Sequence, residues 1–552
     1  MVTARKEIET TLTDVASSQD FTSTFIKGSW IAYFISALFQ IIFFTDLTNL
    51  AVVVIIGIGW LLYTKAFVRY ELFRAFSLSS LVVFGFASTH ILFPLIFTSL
   101  EGKPVTYNLE YPEVVFLHSL AAMAVLMVSH TVYRSFSKLA DRRRSFSLVE
   151  TIGLFTAPTD LQLWIMGLIG LGSMYYIYFI APDVWQSVTG SAADKLVQSL
   201  MSFAYAPFLI VCGVLYGRKS KSLGANAAFL ILFMIALFGL GIGRSSTGAI
   251  MFGFTSIAFA YLIGCFVGIF RPRFFTFRNF IVAGIAIWLV VGPLADLRTA
   301  MVIVRGERKE ISAEQLFLQT MEAYSDKEAI RQRRADDSGE GIMDPDWDER
   351  YLDNVLTARF ANVKFNDLSL GRAEQLGTYD PEMLGFAHDY LIGALPDPII
   401  KFFNFDVDKE FVYSISTGDF IYLNSGGQGT PEGFRVGHFA GTGMATFGWW
   451  YLAILGVGII PVFYLIDLFQ QKKKDHNHQG EKDSAHINFS ACGLLALTSF
   501  FQFLQLETVT QLGTYIIRGW LQLTFLYLVI FYLTRLISGA GMKRLKWTAA
   551  ST

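Results

Sequence analysis

Residues 444–466 read MATFGWWYLAILGVGIIPVFYLI, an unbroken run with no charged side chain. An α-helix needs about 20 mostly apolar residues to cross a hydrocarbon core about 30 Å thick, so this run is long enough to span a bilayer. Outward from it, eleven more stretches approach that length: 29–45, 49–64, 77–98, 114–133, 162–181, 199–217, 227–243, 249–270, 279–296, 487–506 and 519–538. Composition agrees, because 53% hydrophobic and 16% charged residues in a 552-residue chain leave too little polar surface for an ordinary soluble globule. The expected fold class is an all-α polytopic membrane protein of about twelve transmembrane helices, with one large extracytoplasmic loop between helices 9 and 10.

Orientation follows from charge, since Lys and Arg accumulate in short cytoplasmic loops. Every second loop is basic: Lys65, Arg69 and Arg74; Arg134, Lys138, Arg142, Arg143 and Arg144; Arg218, Lys219 and Lys221; Arg271, Arg273 and Arg278; then Lys472, Lys473 and Lys474. The alternate loops, at 46–49, 101–113, 183–195, the Arg244 turn and 507–518, are acidic or nearly neutral. The expected map is a cytosolic N-terminal tail over 1–28, helices 1–9 over 29–296 and the extracytoplasmic loop over 297–443. Helices 10–12 follow over 444–538, then a cytosolic C-terminal tail over 539–552. Residues 1–27 are polar and lack an apolar core followed by small cleavage residues, which reads as an uncleaved first span. Cys212, Cys265 and Cys492 all fall in apolar runs, so no disulfide framework is expected.

The loop 297–443 is acidic, with 15 Lys plus Arg against 25 Asp plus Glu, and is therefore no polybasic lipid-surface patch. Its cations are skewed, ten Arg to five Lys, and arginine is the residue that grips phosphate or carboxylate with two parallel hydrogen bonds. Arg298 and Arg305 in LRTAMVIVRGER, Arg359 in TARFANVKF and Arg372 in GRAEQLG stand beside apolar residues, outside the solvated run 326–353. That run reads as a charged surface helix, flanked by amphipathic pieces at 354–372 and 381–404 that suit interfacial helices. Arg244, in GLGIGRSSTGAI, sits at a span junction among small residues, where an ionisable group either snorkels or faces a polar cavity. His438 follows Arg435 by three residues in the glycine-rich approach to helix 10. His90, His118 and His130 lie within spans with no Cys or carboxylate at ligand spacing, so a metal site is not expected there. Gln502, Gln505, Glu507 and Gln511 form a polar stripe that serves equally as helix-to-helix hydrogen bonding or as a cavity wall for sugars.

No Walker loop, dinucleotide fingerprint, HExxH or GxSxG motif is present. The architecture, Arg244 at its junction and GHFAGTGMATFGWWYLAILGVGII at 437–460 resemble the bacterial Wzy-type O-antigen and capsule repeat-unit polymerases, and their relatives the O-antigen ligases. The resemblance spans most of the chain as architecture, but as residues only 239–248 and 435–458. It implies a metal-independent glycosyltransferase, without cofactor, acting on undecaprenyl-diphosphate-linked oligosaccharide at the bacterial cytoplasmic (inner) membrane. Membrane lipids and a chain-length regulator protein are the other implied partners, and no nucleic acid. His438 takes the place of the ligases' suggested base and joins Arg244 as a catalytic candidate; Arg298, Arg305, Arg359, Arg372 and Arg435 are the substrate-binding candidates. The chain departs from the family where some polymerases space Arg and Gly eleven residues apart, since the nearest case here, Arg359 with Gly371, is twelve apart.

The chemistry is self-consistent, because a lipid diphosphate is already a good leaving group. The protein has only to stabilise its charge and take a proton from the incoming hydroxyl. The competing reading is a transporter or flippase of an anionic lipid-linked glycan, in which the arginines bind and nothing reacts. Such folds generally show repeated halves, and none is visible in this sequence.

Overall fold

The structure, a computed structural model, describes residues 2–141, 148–181, 192–218, 224–243, 247–271, 281, 285, 292–304, 311–338, 346–429, 435–474 and 485–539. Among the described residues, nine helices are long and apolar enough to cross a membrane: Val15–Phe43, Leu47–Phe67, Ser77–Leu100, Pro112–Ser137, Asp160–Ile180, Ala193–Tyr216, Asn226–Gly243, Trp450–Asp467 and Gln511–Ile537. Met251–Phe266 is a shorter apolar helix. The chain is thus an all-α polytopic membrane protein, in which Gln470–Lys474 and Ala485–Phe489 pair as an antiparallel hairpin.

Three expectations change on the structure. Residues 1–28, expected as a tail, begin a helix that runs Val2–Phe43. Ser18, Phe21, Thr22 and Phe25 fall at i, i+3, i+4 and i+7, which makes one helical stripe. Ser18 donates to the Phe266 carbonyl and Phe21 meets the Phe266 ring edge-on at 4.8 Å. The stretch 487–506 is not one helix: a strand ends at Phe489, Ala491–Leu495 and Leu497–Phe501 form two short helices broken at Ala496, and turns follow. Irregular backbone at membrane depth persists only where protein or a water-filled cavity surrounds it, and Thr498, Gln502 and Gln505 indeed line a cavity. The run 326–353 is a surface helix only over Lys327–Ser338, for beyond the undescribed 339–345 both Trp347 and Tyr351 are buried. Of the expected span 279–296, residues 281, 285 and 292–296 are described, the last four of them opening the helix Pro293–Ile303; the rest lie outside the described residues.

Ser77–Leu100 is the central helix, with every residue of Ser77–Leu92 buried. Its middle widens into a π-helical turn, Ser88–Leu92, just before Pro94. Proline has no N–H to offer the preceding turn, so the Thr89 carbonyl lacks a donor from residue 94. The Asn362 N–H supplies one, at 3.4 Å, from the long segment. Such π turns concentrate at functional positions. Pro112–Asp141 and Trp450–Asp467 flank this helix, and Gly456 lets them close up because a β-carbon there would stand 2.9 Å from Val125 Cγ1.

The connections sort into two ends. At one, Gln40 and Asn49 hydrogen-bond to the 103–106 turn, and Tyr351 and Asp367 bond to Val105, Glu110 and Tyr111. At the other, Gln470 of the hairpin bonds to Ser77 and to the Arg74 carbonyl. Within the first end, the helix Val363–Leu376 carries a buried ion pair, Lys364 Nζ to Asp367 Oδ2 at 2.9 Å. Asp367 also accepts the N–H groups of Glu110 and Tyr111, and Lys364 donates to the Asn108 carbonyl. The same helix lies flush on Phe439–Phe447, where a β-carbon on Gly441 would run into the Ser369 backbone.

Met201–Tyr216 is a 3₁₀ helix, bent at Cys212. Side chains three apart eclipse in that geometry, and Phe203, Ala206, Leu209, Cys212 and Leu215 accordingly form one fully buried row. The row follows a period of three, which an α-helical reading of the sequence does not detect.

Candidate active site

Where the long segment meets the bundle, a cavity of about 530 Å³ opens between them. The helix Thr247–Phe266 gives Met251, Phe252 and Thr255; the helix Pro293–Ile303 gives Arg298. The long segment adds Glu349, Arg359, Phe360, Asn362 and Phe365, then Val436, Gly437 and His438. The broken segment closes the wall with Thr498, Gln502, Gln505 and Leu506. Its attachment is polar: the Thr498 hydroxyl is 2.9 Å from Thr255 and 3.3 Å from Ser256, and the Gln505 amide donates to the Arg359 carbonyl at 3.1 Å. A pocket with guanidinium groups, amides, hydroxyls and phenyl rings suits an anionic group joined to a sugar.

Three of the residues singled out from sequence come together here: Arg298, Arg359 and His438. Arg298 is buried, only 7% exposed, on a helix whose first turn holds Pro293. Arg359 is exposed on the turn after Val355–Ala358. Arg372 and Arg435 are not among the lining residues. Both stack on Tyr422, at 4.7 and 3.9 Å from the ring centre, and Arg435 pairs with the buried Asp419 at 2.9 Å while Arg372 donates to Gln375 and to the Asp346 carbonyl. Their surroundings account for them as packing cations. Arg244 and Arg305 lie outside the described residues.

His438 is the N-cap of Phe439–Phe447, and its Nδ1 accepts the Ala440 N–H at 3.2 Å. That bond assigns the proton of the neutral ring to Nε2, which stands 3.0 Å from His90 Nε2. His90 Nε2 is then an acceptor, and its Nδ1–H donates to the Thr89 hydroxyl at 2.9 Å, which in turn donates to the Gly85 carbonyl. Both ring nitrogens of His438 are therefore spent inside the protein. Burial, together with the neighbouring His90 and His118, pulls its pKa well below the usual imidazole range.

Sequence reasoning missed Glu349, hidden in a run of charges. The Trp347 indole and the Val436 N–H both donate to its Oε1 at 2.9 Å. Burial raises its pKa above the ordinary carboxylate value against these two hydrogen bonds, with Asp419 adding to the shift and Arg435 opposing it. The usable signal was the aromatic pair Trp347 and Tyr351 within the acidic run, which marks chain that packs. Glu507, part of the polar stripe, stands beside the site. It accepts the Thr417 and Gly418 N–H groups at the start of Thr417–Asn424, and burial pushes its pKa up to about 7. His118 and His130 are held by Tyr451 at 2.7 Å and Ser79 at 2.9 Å respectively. No protein-family model, no curated protein and no solved structure matches this chain.

Proposed function

We propose that the protein transfers an oligosaccharide from undecaprenyl diphosphate to a sugar hydroxyl, building a polysaccharide at the outer face of a bacterial cytoplasmic membrane. One observation carries the reading: Arg298, Arg359, Glu349 and His438, distant in sequence, line a single cavity between a membrane helix and the long segment. The arginines, Arg298 buried and Arg359 exposed, take up the charge that develops on the departing diphosphate, a role suited to fixed donors. Glu349 is the lining carboxylate, and His438 lines the wall with both ring nitrogens already bonded within the protein. The amides of Asn362, Gln502 and Gln505 suit sugar hydroxyls, and the phenyl rings of Phe252, Phe360 and Phe365 suit apolar sugar faces or the first isoprene units.

In this scheme the chain crosses the membrane twelve times with both termini cytosolic. The nine long helices, Met251–Phe266, the partly described 279–296 stretch and the broken 487–506 stretch make up that number. Reporters fused at Asp337 and Asp475 should give opposite signals, and equal signals would overturn the map. Purified protein supplied only with lipid-diphosphate-linked repeat units should lengthen glycan chains in the presence of EDTA. A strict need for added metal or nucleotide would sink the scheme, and movement of intact donor across vesicles without glycan growth would favour the transporter reading.

A further inference from the structure

We infer that Glu349 is the catalytic base that takes the proton of the incoming hydroxyl, and that His438 is a positioning residue that holds the cavity wall. The inference rests on the glycosyl-transfer reading above and assigns roles within it. A general base must offer a lone pair to the hydroxyl it deprotonates. Nδ1 of His438 already accepts from Ala440, and Nε2 carries the ring's proton toward His90, so the ring has no lone pair for substrate. Its bonds run from the start of Phe439–Phe447 to the π turn of the central helix, which fixes Val436 and Gly437 along the wall.

Glu349 meets the requirement. It lines the same cavity as Arg298 and Arg359, and two N–H donors converging on Oε1 fix the orientation of its carboxylate. Its charged surroundings are mixed: Asp419, Glu507 and Arg435 interact with it electrostatically, and Arg298, Arg359 and neutral His438 line the same cavity. Burial, helped by Asp419 and opposed by the Val436 and Trp347 hydrogen bonds and by Arg435, leaves it a stronger base than a solvated carboxylate. In the step itself, the acceptor oxygen bonds to the anomeric carbon as that carbon's bond to the diphosphate oxygen breaks. The bonding pair leaves with undecaprenyl diphosphate, which gains one negative charge against the arginines. The hydroxyl proton passes to Glu349 and then to water.

The test uses the purified full chain, labelled undecaprenyl diphosphate as the binding probe, and lipid-linked glycans extracted from cells deleted for this protein as the transfer substrate. The parent's rate should rise with pH along a limb centred above the ordinary carboxylate value of 4.5. Glu349→Gln keeps an oxygen for the Trp347 and Val436 donors. It should bind the probe like the parent but transfer about 10²- to 10⁴-fold more slowly, with the limb gone. Glu349→Ala should regain part of its rate in added formate, which a purely structural role would not produce. His438→Asn still caps the helix through its side-chain oxygen and should retain the limb. Parent-like transfer by Glu349→Gln, or loss of the limb only in His438→Asn, overturns this assignment and leaves glycosyl transfer standing. Failure of the parent itself to bind the probe and to transfer overturns both.

Discussion

Arg298→Lys and Arg359→Lys are each expected to lower transfer per folded molecule by about 10²-fold, the cost typical of removing one transition-state donor. Lysine keeps the charge but loses the planar fork that engages two phosphate oxygens at once. The deficit should lie in kcat more than in binding, because the extra charge on the diphosphate appears only as the glycosidic bond breaks. Arg372→Lys is the matched control. Its guanidinium is taken up by Tyr422, Gln375 and the Asp346 carbonyl, outside the cavity, and transfer should stay close to the parent's. Single-turnover rates on equal amounts of folded protein decide the matter. Parent-like rates for both Arg298→Lys and Arg359→Lys would remove the diphosphate from this cavity.

Asp367→Ala is expected to destabilise the protein by about 3–5 kcal/mol, the range for breaking a buried ion pair on one side. The substitution strands Lys364, only 4% exposed, and leaves the Glu110 and Tyr111 N–H groups without their acceptor. Thermal unfolding in one detergent would report it, as a clear fall in midpoint. Adding Lys364→Met should restore only part of the loss, since removing the stranded charge leaves the two backbone donors unsatisfied. A single variant as stable as the parent would show that this pair does not tie the 101–111 turn to the long segment.

The transmembrane helices were legible because length and apolarity are one-dimensional properties. The cations at Arg298 and Arg359 were legible because each stands out from apolar neighbours. Glu349 was not, since a carboxylate among carboxylates carries no local mark, and only its fold partners Trp347, Val436 and the cavity distinguish it. His438 stood out in its glycine-rich setting, yet the sequence carries no sign that its ring meets His90, 348 residues earlier. The stretch 487–506 misled for the opposite reason. Its composition suits a continuous span, while its packing lies outside local sequence: Gly85, without a side chain, lets Phe501 press onto the central helix.

The Met201–Tyr216 helix shows that residue number and bilayer reach are different quantities. A 3₁₀ helix climbs about 2.0 Å per residue where an α-helix climbs about 1.5 Å. Sixteen residues wound this way therefore cover about as much depth as twenty-one wound as an α-helix, less what the bend at Cys212 subtracts. This helix makes up most of the crossing Ala193–Tyr216. The chain gains that height by drawing the backbone out into a thinner coil, so its thickness in the plane of the membrane falls as its span rises. A slimmer crossing of this kind leaves more lateral room for its neighbours than a standard helix of equal depth.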